Sequence, residues 1–185
     1  MVVFDATMMM LALWPDAPTP KDPVTQQPID FASERVQLVV ASLEKNKTKI
    51  IIPAPALSEV LVRAGKAGPK IVSAIQRSSA FRIEDFGAAA AVEVAIMTRY
   101  ALDSGSKRDG DGTWAKIKYD RQIAAIAKVS GAKVIYSDDK NVRSFCERAD
   151  ISVIGLASCP LPEKPPMPPL LRLLEAKSDE NTPAE

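Results

Sequence analysis

Five carboxylates in this 185-residue chain stand where chemistry could use them. Asp5 follows the short apolar run Met1–Phe4, and Glu59 lies one turn into "PALSEVLVRAG". Asp120 sits early in "YDRQIAAIA", and Asp138 and Asp139 follow "AKVIYS". A charge at the end of an apolar strand costs desolvation unless something pairs with it. Carboxylates a few Å apart in a dry site cannot all stay ionised without a cation. Hard oxygen donors suit Mg²⁺ or Mn²⁺, and such a centre can activate water and hold a phosphodiester in line. Each acid also has a plain structural reading. Asp139 suits an N-cap, Glu59 an exposed helix position, and Asp120 an ion pair with Lys116 one turn earlier.

Composition narrows the chemistry further. The chain has no histidine, which excludes Ser-His-Asp and Cys-His nucleophile systems, a histidine-bridged zinc site and haem held through His. Two cysteines, Cys146 and Cys159, make no disulfide framework and too few zinc ligands. Acid–base work must come from carboxylates, Lys, Tyr or metal-bound water. The formal net charge of +1 names no partner, so any nucleic-acid contact needs a local patch. A hydrophobic fraction of 46% supports a full core. The first residues carry no basic stretch or cleavage site, and no apolar run approaches the roughly 20 residues of a membrane span. The expected location is the cytoplasm, with no membrane partner.

The elements that must position these acids follow from hydrophobic spacing. "MVVF", "KIIIPAP", "AFRIEDF", "AKVIYSDD" and "ISVIGL" read as strands. Between them, helices are expected at Met8–Leu13, Phe31–Leu43, "PALSEVLVRAG", "GPKIVSAIQRS", Ala88–Leu102, "AKIKYDRQIAAIAKVSG" and "KNVRSFCERAD". Pro55 suits the first turn of its helix, while Gly65 and Gly131 suit helix ends. The alternation predicts an α/β fold with a mostly parallel sheet, whose ligands gather at the carboxyl ends of the strands. The alanines beside Asp120 would let that helix approach the sheet closely. Residues 14–30 carry several prolines and read as a long loop. Composition shifts again at Ser158, which divides the chain into a domain over 1–157 and a Pro-rich tail over 158–185.

The order of these motifs resembles the PIN domain, the metal-dependent ribonuclease fold of many VapC-type toxins. "VVFDAT" matches the opening strand and its Asp, with Thr7 two residues on. "PAPALSEVLVRA" matches the family's Glu segment, "YDRQIAAIA" its third acid, and "VIYSDDKNVRSF" its last signature through Ser137 and Asp139. The resemblance spans about residues 1–157. It implies a three-layer α/β/α architecture and an endoribonuclease using Mg²⁺ or Mn²⁺. Asp5, Glu59, Asp120 and Asp139 would be catalytic metal ligands, Asp138 a further candidate ligand, and Thr7 and Ser137 supports. It further implies RNA as substrate, a homodimer, and an antitoxin protein as partner.

The stretch "SKRDGDGTWAKIKYD" fits that expectation. An EF-hand loop starting at Asp109 is excluded, since Trp114 stands where Gly is required. Lys107, Arg108, Lys116 and Lys118 surround Trp114 and could grip an RNA backbone while Trp114 stacks on a base. The alternative for Trp114 is an anchor to the core. Lys140 and Arg143 could face phosphate or form a solvated helix face. Two other functions compete: a non-catalytic RNA- or protein-binding module, and an acidic-pocket phosphatase. The dehalogenase-type phosphatase pattern wants a second Asp where Thr7 stands.

Overall fold

The computed structural model describes residues 1–14, 17–106 and 109–162. In chain order the elements are β1 (Val2–Phe4), α1 (Ala6–Leu13), α2 (Ala32–Lys45), β2 (Ile50–Pro53), α3 (Ala54–Ala64) and α4 (Gly68–Arg77). They continue as β3 (Phe81–Glu84), α5 (Ala88–Asp103), α6 (Trp114–Val129), β4 (Val134–Tyr136), α7 (Lys140–Glu147) and β5 (Ser152–Ile154). The five strands form one parallel sheet in the order β3-β2-β1-β4-β5. The order reverses between β1 and β4, so the carboxyl ends of these two strands flank the switch point where α/β sheets bind ligands.

Central strands of a parallel sheet are covered on both faces and read as unbroken apolar runs. Val3, Phe4, Ile50, Ile51, Ile52 and Ile135 are all buried. The edge strands β3 and β5 are only partly covered. Met8, Met9 and Met10 of α1 are core residues. Ala124, Ala125 and Ala127 are wholly buried on α6, which packs against α3, α5, α7 and β2. Small side chains there admit the close approach that carries Asp120 to the sheet edge. Arg121 is also fully buried and stacks on Trp114 and Phe145, with centroid distances of 5.5 and 5.3 Å. Both cysteines are buried free thiols, and desolvation pushes them up to about 12 for Cys146 and about 11 for Cys159, which rules against nucleophilic roles.

One boundary moves. The helix expected from Phe31 begins at Ala32, because Phe31 takes a left-handed conformation at φ 56° and stays exposed. In the Pro-rich stretch, the Asp22 carboxylate accepts from the N–H groups of Val24 and Thr25, and Lys21 bridges to Pro28. Residues past 157 still pack on the body. The Arg35 guanidinium donates to the carbonyls of Ala157 and Cys159, and Cys159 is buried. The rest of the tail, from 163, lies outside the described residues. Among the described residues, no helix is long and apolar enough to cross a membrane.

Candidate active site

Asp5 stands between β1 and α1. Its backbone N–H donates to the Tyr136 carbonyl at 3.2 Å, which ties the ends of β1 and β4 together. Its Oδ1 accepts from the Met8 N–H at 2.9 Å, the N-cap contact of α1. The side chain is buried, and desolvation raises its pKa to about 6. Hydrogen bonds from Met8 N–H and the Ser137 hydroxyl pull the other way, and the charges of Asp138 and Asp139 raise it again. A buried carboxylate that feels the charges of two others favours a positive charge beside it.

Asp120 and Asp139 share such a charge. The Lys116 ammonium lies 2.9 Å from Asp120 Oδ2 and 2.5 Å from Asp139 Oδ2. Asp139 caps α7, its Oδ1 accepting from the N–H groups of Asn141 and Val142. The Ser137 Oγ in turn accepts from the Asp139 N–H at 3.1 Å and so fixes the cap residue. Burial raises the pKa of Asp120, against the hydrogen bonds from Asn141 and Lys116. Burial disfavours the charged Lys116, but its bonds to Asp139 and Asp120 outweigh this and leave its pKa above the ordinary range.

Asp5, Thr7, Glu59, Lys116, Asp120 and Asp139 line one cleft of about 570 Å³. Glu59 sits on its exposed rim and pairs with Arg63 at 2.7 Å, as a surface helix residue does. Asp138 turns aside: its Oδ1 accepts from the Leu156 N–H at 3.0 Å, and a Cβ on Gly155 would come within 2.6 Å of that oxygen. Of the two adjacent acids, Asp139 therefore faces the cleft and Asp138 holds the turn after β5. Among the described residues, no three Asp, Glu, His or Cys side chains converge as they stand on a point that could hold a metal ion. The cation now between Asp120 and Asp139 is an ammonium. The donor chemistry still fits a hard divalent ion, because every candidate ligand is a carboxylate oxygen and the site already gathers positive charge.

The cationic residues divide. Lys140 is exposed beside Asp139 and Lys116 around a smaller hollow. Arg143 lies outside the cleft lining, donating to the Val153 carbonyl and pairing with Glu147. Trp114 is half-buried against the core, with Lys118 5.9 Å over its ring and Arg121 on it as well, an anchoring arrangement. Lys107 and Arg108 lie outside the described residues.

Sequence reasoning missed Asn141. It is buried, and its Nδ2 donates to Asp120 Oδ2 at 2.7 Å and to the Asp111 carbonyl at 2.9 Å. Its Oδ1 accepts from the Asp111 N–H at 2.7 Å. One amide thus aims Asp120 and clamps the loop before α6. The available signal was an amide two residues after a strand-end acid, in the first turn of a helix. Asn141→Ala is expected to destabilise the protein by about 1–3 kcal/mol, since it strands buried polar partners. Urea denaturation checks this, and an unchanged midpoint would show that water replaces the amide without cost.

A family model described as PIN domain matches residues 29–148. The VapBC2 complex from Rickettsia felis bound to a DNA fragment from its promoter is similar in structure, with TM-score 0.56 and 13% identity over 83% of this chain and 97% of that one. A DNA-bound VapBC from Salmonella typhimurium gives TM-score 0.50 and 18% identity over 84% of this chain and 97% of the other. These likenesses show a shared fold. No curated protein matches the sequence. The family match runs from the residue before Asp30 to the end of α7, taking in Glu59, Asp120 and Asp139, and by it the chain belongs to the PIN-domain family.

Proposed function

We propose that this protein is a Mg²⁺- or Mn²⁺-dependent endoribonuclease. The observation that carries the reading is the meeting of Asp5, Asp120 and Asp139 in one cleft at the switch point of the sheet, from three elements distant in sequence. Membership of the PIN-domain family supports it. Asp5, Asp120 and Asp139 would hold the ion, with Glu59 joining from the rim and Asp138 acting only through its charge on Asp5. A bound divalent ion would supply an activated water and neutralise charge on the scissile phosphate. Ser137 would hold Asp5 and Asp139 in place through its hydroxyl, and Thr7 would line the cleft beside them. Lys116, Lys118 and Lys140, with Lys107 and Arg108 of the preceding loop, would meet the RNA backbone.

The solved VapBC structures support a small protein partner, so the chain is read as the cytoplasmic toxin of a toxin–antitoxin pair. The exposed stripe Val92, Ile96 and Tyr100 on α5 supports a homodimer. The Lys116 bridge favours a second reading, a module whose acids are neutralised internally and which binds RNA without cutting it.

Cleavage of single-stranded RNA separates the two. Activity is expected to vanish in EDTA and to return with Mn²⁺ or Mg²⁺ but not with Ca²⁺ alone, which is larger and positions water less strictly. Undiminished cleavage in EDTA by a preparation free of contaminating nuclease would exclude the metal mechanism. Binding without cleavage under every metal would establish the second reading.

A further inference from the structure

Lys116 carries more than an RNA contact. Its backbone is fixed in the first turn of α6, where the Lys116 N–H donates to Thr113 Oγ1 at 3.2 Å. Its ammonium bridges Asp120 Oδ2 and Asp139 Oδ2. The second oxygen of Asp139 is already committed, because Oδ1 caps α7 through two backbone N–H groups. Asp139 therefore has one oxygen to offer a cation in the cleft, and Lys116 holds it. On the Asp120 side the same Oδ2 also takes the Asn141 amide, so the ammonium stands where the two acids converge. The lysine side chain is nearly half exposed and borders both the large cleft and the small hollow lined by Asp111, Asp138, Lys140 and Asn141. An ammonium on a flexible four-carbon stem can leave such a position without moving the backbone.

We propose that Lys116 is a built-in counter-ion that occupies the divalent-ion position, so that metal loading is an exchange in which the ammonium is displaced from Asp120 and Asp139. The proposal rests on the metal-site reading above. Without metal, the ammonium offsets repulsion between two acids held a few Å apart. With metal, the same ammonium is freed at the lip of the cleft. The exchange sets a threshold: the protein loads metal only when the ion outcompetes its own lysine. No covalent bond changes, and the displaced charge remains on the protein.

Calorimetric titration of the full chain with Mn²⁺, without RNA, tests this on the parent, Lys116→Met and Lys116→Arg. Met keeps the length and removes the charge, and the half-exposed site tolerates it. Removing the ammonium removes the two ion pairs that a metal must otherwise break, so Lys116→Met is expected to bind Mn²⁺ at least about fivefold more tightly. Lys116→Arg keeps the competing charge and is expected to stay near the parent. The variant's melting temperature without metal should fall below the parent's, and its rise on adding Mn²⁺ should exceed the parent's. Equal or weaker Mn²⁺ binding by Lys116→Met would overturn the exchange while leaving the metal site standing. Absence of Mn²⁺ binding by all three proteins would overturn the metal-site reading itself, and the exchange with it.

Discussion

Asp120→Asn is expected to reduce RNA cleavage to background while the metal-free protein melts no lower than the parent. Asp120 is only 7% exposed, and burial raises its pKa, so keeping it charged costs the fold more than it would in water. Asn presents an oxygen where Oδ2 now accepts from Asn141, and it keeps the shape of the side chain. The loss is the pair with Lys116, whose side chain is 46% exposed, a contribution of about 0–1 kcal/mol. The gain is relief of a buried charge that Asp139 repels. Metal separates function from structure. Excess Mn²⁺ should raise the parent's melting temperature, because it binds only the folded state, and should raise that of Asp120→Asn much less. If Asp120 is an ordinary ion-pair member, melting falls slightly, and the manganese response and the activity are both untouched.

The fold was legible because buried parallel strands leave a coarse trace. "VVF", "III" and "VIY" are apolar on both faces, and in a sheet of this order the acids that end two of them must meet. The alanines after Asp120 announced the close approach of α6. What sequence could not resolve was side-chain direction. Asp138 and Asp139 are adjacent, and only the geometry of the turn decides that one meets Leu156 and the other the cleft. Lys116 was legible as an i, i+4 partner of Asp120, but its second partner is 23 residues away and belongs to tertiary structure. Asn141 escaped for the same reason, since both its partners lie on another part of the chain. Trp114 is ambiguous in sequence because its partner Arg121 is a buried charge that hydrophobic periodicity would not place in a core.

Asp5→Asn is expected to stabilise the metal-free protein at neutral pH, and to do so by an amount that disappears in acid. In the folded protein Asp5 titrates at about 6 rather than 3.8, chiefly because it is buried. Between those two values the folded chain keeps a proton that the unfolded chain has released. Stability from this group therefore falls as pH rises from about 4 to about 6 and is flat above. A shift of about two units corresponds to about 3 kcal/mol. Asn caps a helix as well as Asp does, so the contact with the Met8 N–H is retained, and what is lost is the charge with its bond from the Ser137 hydroxyl. Urea denaturation of parent and variant in EDTA, at pH 4 and pH 7.5, isolates the effect by difference, since Asp120 and Asp138 titrate upward in both proteins. The two unfolding free energies should nearly coincide at pH 4 and separate by up to about 3 kcal/mol at pH 7.5, with the variant the more stable. A separation that is the same at both pH values would mean that Asp5 is a well-hydrated cap whose charge costs nothing. With saturating Mn²⁺ the ordering at pH 7.5 should reverse, because the ion then stabilises the carboxylate that burial had penalised and finds no such ligand in the variant. That reversal is what distinguishes a strand-end acid kept for a cation from one kept for its helix.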